Sequence, residues 1–275
     1  MNIKSLLLGS AAALAAVSGA QAADAIVAAE PEPMEYVRVC DAFGTGYFYI
    51  PGTETCLKIG GYVRVDIGGG DIDGADTNSA NGIGFGGGDE WNTYTRFTLN
   101  VETASDTELG ALKTFTEVRF HYGNQYDSDG FFTGDGSSVS LNFAYIDLAG
   151  FRVGKTETAF YTFVGYAGNV IHDDVIPGGV YDTNVIQYNY DSGTGFTGVI
   201  SLEDTQDQSF SSRSDRDYIP NVVGGLGYTT GAFGIRVVGG YDAAVEEGAF
   251  KARLDASFGG FSAFVMGGWN TDGDR

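Results

Sequence analysis

Two cysteines, two histidines and five prolines are all that the 275-residue chain contains of those types. So few cysteines exclude a disulfide-stapled miniprotein, and no Cys/His cluster has the spacing of a metal centre. Cations are scarce too: Lys plus Arg number 15 against 36 Asp plus Glu, for a formal net charge of -21. A nucleic-acid binder needs a cationic face to neutralise phosphates, so that class is excluded. Past the first 22 residues, no apolar run approaches the roughly 18 residues that a spanning helix requires. What is abundant is glycine, with 43 residues, and aromatic side chains, with 19 Phe and 16 Tyr. That aromatic content argues against a disordered chain. Glycine at this density argues against a helical bundle, since each costs a helix about 1 kcal/mol relative to alanine. What remains is an all-β protein.

The N-terminus has the three parts of a secretory signal peptide. Lys4 gives a positive start, Leu6 to Val17 an apolar stretch, and Ala20-Gln21-Ala22 a small-residue cleavage site. Residues 1–22 are therefore expected to be removed, leaving a mature chain that starts near Ala23 and works outside the cytoplasm. Residues 23–56 form a segment ahead of the first strand, and 57–275 the main body. Cys40 and Cys56, in an exported chain and spaced for a small loop, are expected to form a disulfide, contributing about 3 kcal/mol in the chain-entropy picture.

From Leu57 onward apolar and polar residues alternate with period two in segments of about ten residues, the signature of half-buried strands. Phe97, Leu99 and Val101 oppose Arg96, Thr98, Asn100 and Glu102; Phe250, Ala252, Leu254, Ala256 and Phe258 oppose Lys251, Arg253, Asp255 and Ser257. Eleven such strands are expected. Their connections alternate in length: tight links such as Ala149-Gly150, Thr230-Gly231 and Gly259-Gly260, and long polar loops at 68–90, 123–138, 158–182 and 204–219. Short turns alternating with long loops describe a transmembrane antiparallel β-barrel, because a sheet in lipid must close on itself to satisfy its backbone. A soluble sandwich or up-and-down barrel also alternates. It gives no reason for aromatics at strand ends, whereas Trp91, Tyr122, Phe151, Tyr190, Phe196, Tyr228, Phe233, Tyr241, Phe250, Phe258, Phe261 and Trp269 stand there.

Alternation places nine cations on the polar face: Lys58, Arg64, Arg96, Lys113, Arg119, Arg152, Arg236, Lys251 and Arg253. A charge on the lipid face costs about 2–4 kcal/mol at mid-membrane, so these residues are expected to face the lumen. Two outcomes are open: they line water, or they pair with Glu102, Glu117 and Asp255 and fill a narrow barrel. Eleven or more strands enclose more space than side chains fill. Loop 158–182 differs from the other long loops in carrying aromatic and small residues, with Asp173 and Asp174 near its middle. It suits either a loop folded inward against the wall or an ordinary packed external loop. His121 is expected in the lumen and His172 in that loop. No Gly-x-Ser-x-Gly elbow and no Ser/His/acid set is apparent, so a hydrolase is disfavoured, and no cofactor is implied.

The stretch Val37-Arg-Val-Cys40-Asp-Ala-Phe-Gly-Thr-Gly-Tyr-Phe-Tyr-Ile-Pro-Gly-Thr-Glu-Thr-Cys56-Leu-Lys-Ile-Gly-Gly-Tyr-Val-Arg64 resembles the opening of the general porins of alphaproteobacteria, of the rhizobial and Brucella type. Leu148-Ala-Gly-Phe-Arg-Val-Gly-Lys-Thr-Glu-Thr extends the similarity. The resemblance implies a sixteen-stranded, homotrimeric, water-filled channel in the outer membrane of a Gram-negative bacterium, set in lipid and lipopolysaccharide and passing small hydrophilic solutes passively. It also implies a third external loop folded into the pore, its acids facing basic wall residues. Transferred to this sequence, Asp173 and Asp174 face Arg64, Arg96 and Arg119 at the constriction. Lys58, Lys113, Glu117, Arg236, Lys251 and Arg253 line the lumen elsewhere. Eleven strands use about 20 residues each with their connections, so sixteen would need about 320. The expectation is a C-terminally truncated barrel, with Asn270 to Arg275 opening another loop. The rival is a non-conducting outer-membrane structural protein or adhesin that displays its acidic loops.

Overall fold

The structure, a computed structural model, describes residues 38–71, 89–126, 132–166, 181–204, 219–244 and 246–271. All fall within one compact unit, Val37–Arg275. The signal segment lies outside the described residues. Twelve strands form one antiparallel sheet in chain order: β1 (Phe48–Tyr49), β2 (Cys56–Asp71), β3 (Asp89–Thr107), β4 (Gly110–Tyr126), β5 (Phe132–Leu148), β6 (Phe151–Glu157), β7 (Asp182–Asp191), β8 (Phe196–Glu203), β9 (Asn221–Thr230), β10 (Phe233–Asp242), β11 (Glu247–Phe258) and β12 (Phe261–Asn270). One turn of helix, α1 (Ala159–Thr162), follows β6. Each strand pairs with its neighbour in sequence, so every connection is a hairpin. The eleven long strands are those expected from alternation; β1 is an addition at the free edge of β2. β4 and β5 run further than expected and leave only 127–131 between them.

The tight links form because their residues accept left-handed backbone. Ala149 and Gly150 have φ of 52° and 87°, the two positive values that a two-residue hairpin needs to match strand twist.

The two faces of the sheet differ in exposure. Val65 (59%), Leu226 (57%) and Leu254 (56%) stand out on one face, while Arg96 (5%) and Lys251 (2%) lie covered on the other. A soluble barrel has the reverse arrangement, with apolar residues inside and charge in water. An apolar exterior with a polar interior is the membrane form. Aromatics ring the turn end of the apolar face: Phe151 pairs with Tyr188, Phe196 with Tyr228, and Phe258 with Phe261. At the loop end Phe250 pairs with Trp269. The β4–β5 register shifts twice, between Gln125 and Tyr126 near the loop end and at a β-bulge opposite Glu117 and Val118 in mid-strand. On β5, Ser138 and Ser140 face inward before it and Tyr145 and Asp147 after it, so the inward parity changes from even to odd.

Candidate functional site

The inner face of β2, β3 and β4 carries a basic cluster. Arg64 and Arg96 are direct cross-strand partners. Arg119 stands opposite Thr98 and His121 opposite Arg96, so the three arginines form a contiguous patch. Their surroundings differ. Arg64 Nε lies 2.7 Å from Asp66. Arg119 Nε donates to Glu117 Oε1 at 2.8 Å, an oxygen that also accepts from Asn142 Nδ2 at 2.9 Å. Arg96 donates to the Tyr62 hydroxyl at 3.3 Å, with its guanidinium 5.9 Å from that ring. No carboxylate is within ion-pair distance of Arg96 among the described residues. Beside it, Tyr94 and the Nδ1 of His121 are hydrogen-bonded.

Elsewhere most of the cations are partnered. Lys58 pairs with Glu102 at 2.9 Å, and Arg152 holds both oxygens of Asp147 at 2.8 Å. Arg236 and Arg253 share Asp255 at 3.2 and 2.8 Å, and Lys113 stands in register opposite Asp147. Ion pairing is therefore common on this face, across strands for Lys58, Arg152 and Arg236 and along one strand for Arg64, Arg119 and Arg253; among the described residues Arg96 and Lys251 take no part in it. Lys155, which alternation did not single out, donates to the Asn142 carbonyl at 2.9 Å and to Asp182 at 2.5 Å.

The chain after β6 turns inward. Thr158 caps α1, its hydroxyl accepting from the Phe160 N–H at 3.2 Å. That hydroxyl also donates to Glu203 at 2.5 Å, and the Ala159 N–H donates to the same carboxylate at 2.9 Å. Glu203, buried at the end of β8, thus satisfies a donor that a helix start leaves without an intrahelical partner. Ala159, Phe160 and Val164 then pack on Val199, Val223 and Val238, with Phe163, Ala249 and Met266 around them. The cluster built on this short segment draws residues from five successive strands, β8 to β12, so the sheet curls around it.

Glycines make room for this packing. A Cβ on Gly225 would come within 2.6 Å of the Phe163 ring, and one on Gly240 within 3.2 Å of Phe160. Lys251 is covered, its ammonium 4.7 Å from the Phe160 ring and 4.4 Å from that of Tyr161. Arg253 donates to the Tyr166 carbonyl at 2.8 Å.

The two stems of the loop meet at one carboxylate. The hydroxyls of Tyr166 and Tyr181 both donate to Glu157 at 2.6 Å, and the Thr158 N–H donates to the Tyr181 carbonyl at 3.1 Å. Tyr161 stacks on Tyr166 with ring centroids 5.7 Å apart. Burial, and then the bond to Glu157, raises the pKa of both phenols; for Tyr181 the Arg119 guanidinium pulls the other way. Arg119 is thus within electrostatic reach of the loop stem.

Of the expected site residues, Arg64, Arg96 and Arg119 are brought together on one wall. Asp173, Asp174 and His172 lie outside the described residues. Lys251 and Arg253 occupy the inner face but hold the loop, and Lys251 is covered by it. Sequence reasoning missed Glu157, Glu203, Tyr166 and Tyr181. One signal was present: in Val222-Val-Gly-Gly-Leu-Gly227 no polar residue alternates with the apolar ones, which marks an inner face covered by something other than water. Among the described residues no group of His, Cys, Asp and Glu is placed to hold a metal.

The N-terminal segment docks at the turn end of the same inner face. Cys40 and Cys56 are bonded, with Cα atoms 6.0 Å apart, and pack with Tyr47 and Ala104. The Tyr47 hydroxyl donates to Glu102 at 2.6 Å. Burial, followed by that carboxylate, pushes the Tyr47 phenol up to about 12.

Comparison with known proteins agrees with this architecture. The family model described as the porin subfamily matches residues 24–275. Porin Omp2b of Brucella suis biovar 1 (strain 1330) is 51% identical over 281 residues, covering 98% of this chain and 75% of the relative. Porin Omp2b of Brucella canis is 50% identical over 281 residues with the same coverage. Among solved structures, the outer membrane channel DcaP of Acinetobacter baumannii matches 74% of this chain with a TM-score of 0.51 at 18% identity, a likeness of fold. The chain spans 60% of the length of that channel. By sequence and by architecture, the chain belongs to the porin subfamily, as an alphaproteobacterial general porin of the outer membrane that serves passive diffusion.

Proposed function

We propose that this porin sieves ions and small hydrophilic molecules at a constriction set between the β6–β7 loop and the arginine wall of β2, β3 and β4. The observation that carries this reading is the inward course of the loop stems. Thr158 to Tyr166 pack on the inner face of β8 to β12, and Tyr166 and Tyr181 are tied together at Glu157. A loop pinned this way narrows a lumen without filling it. Asp173 and Asp174, borne by the segment between the stems, are proposed to face Arg64, Arg96 and Arg119. Opposed carboxylates and guanidiniums across a gap create a transverse field that sorts solutes by charge and dipole. Arg96, lacking an acidic partner among the described residues, contributes most to that field. The chain is proposed to act as a homotrimer in lipid and lipopolysaccharide, after removal of residues 1–22.

Liposome swelling with hydrophilic solutes of graded size tests the sieve. The expected result is uptake with a sharp size limit, which Arg96→Ala and Asp173→Ala raise. Solute-independent exclusion by well-folded protein would favour the adhesin reading instead. N-terminal sequencing of the exported protein should begin near Ala23.

A further inference from the structure

We infer that the disulfide loop Cys40–Cys56 forms a second narrowing of the channel, at the turn-side mouth, opposite the end from which the β6–β7 loop enters. The inference rests on the channel reading above. Three contacts place the loop over the inner face rather than beside the sheet. Cys40 and Tyr47 pack on Ala104, an inner-face residue of β3. The Tyr47 hydroxyl reaches Glu102, two positions further into the lumen on the same strand. Gly46 lies against the side chain of Lys58 on β2, where a Cβ would come within 3.7 Å of Cδ. Lys58 is itself bridged to Glu102, and its ammonium stands 5.4 Å from the Tyr47 ring.

Edge protection alone does not account for this. The free edge of β2 is met by β1, through Phe48 opposite Leu57 and Tyr49 opposite Cys56. An edge cap needs nothing more. Yet the chain before β1, bridged to it through Val39 opposite Phe48, brings Cys40 to within 6.0 Å of Cys56 between Cα atoms and buries Tyr47 against a charged pair on the inner side of the sheet. The stretch from Asp41 to Gly46, exposed except at Phe43, which packs on the Cys40 and Tyr47 cluster, then stands in the path of solute beside Lys58 and Glu102. The disulfide fixes one end of that stretch at Cys40, and the Cys40 N–H, donating to the Tyr47 carbonyl at 3.0 Å, closes the other, so the obstruction is a rigid one and its selection is by size.

The test compares single-channel conductance and the liposome-swelling limit for the wild-type porin, Tyr47→Phe, Glu102→Gln and Cys40→Ser/Cys56→Ser. Tyr47→Phe keeps the disulfide and removes only the hydroxyl's tether to the wall, whereas Glu102→Gln weakens that tether and also removes the ion pair with Lys58; heat-modifiable migration on gels verifies folding of each. The expected result is a larger conductance step and a higher size limit in all three, greatest for the double cysteine variant. Folded variants with the wild-type step and limit would overturn the second narrowing and leave the channel reading standing. A folded wild-type protein that passes neither ions nor solutes would overturn both.

Discussion

Glu203 and Lys251 show how a single strand position acquires its role from a distant segment. Glu203 accepts from Thr158 and Ala159, more than forty positions earlier in the chain. Removing its carboxylate leaves two buried donors unmet, at about 1–3 kcal/mol. Glu203→Ala should therefore loosen the loop stem, read as faster proteolysis between 158 and 181 and noisier open-channel current, with Glu203→Gln restoring most of the wild-type behaviour. Lys251 was placed on the correct face by alternation, because the period-two rule depends on its own strand alone. Its cover was not legible, because Phe160 and Tyr161 arrive from a loop some ninety residues away. Tyr47 gives a pH test. Its folded pKa, near 12, lies above the ordinary 10, so the protonated tether is fully present below about pH 10 and is lost as pH rises towards 12. Thermal stability should fall across that window in the wild type and fall less in Tyr47→Phe.

Within elements, β9 and β5 mark where periodicity succeeded and where it stopped. On β9 the outer face carries Val222, Gly224 and Leu226, and the inner face Val223, Gly225 and Gly227. The strand was recognisable from its β-branched content and its bounding turns. Its apolar inner face contradicted the expectation of a polar lumen, and packing of Phe163 explains it. Gly225→Ala places a methyl 2.6 Å from that ring and 3.0 Å from the Val237 carbonyl, an overpacking cost of about 1–3 kcal/mol. Gly224→Ala, one residue away, meets nothing closer than 4.0 Å and should change stability by less than about 0.5 kcal/mol. Urea midpoints of the two variants in detergent check this contrast. In β5 the bulge moved the inward face from even to odd positions. A bulge adds one unpaired residue and carries no sequence mark that alternation detects.

For the whole molecule, the inside-out distribution of apolar and charged residues decides between a soluble and a membrane barrel. The hairpin order and the arginine wall followed from alternation and turn spacing. The clasp at Glu157 did not, because tyrosines near strand ends look the same whether they form a girdle or hold a loop. If the exposed apolar face meets lipid, Leu226→Arg places a charge there and costs about 2–4 kcal/mol at mid-membrane. That loss should appear when the barrel is unfolded from vesicles and shrink with a charge placed at Tyr228, nearer the turn. The most direct test of the account is current through a planar bilayer after addition of the purified, folded porin. The account predicts discrete steps, rising with salt concentration and grouped in threes, and made larger by Arg96→Ala. A folded, membrane-inserted protein that carries no current would contradict it.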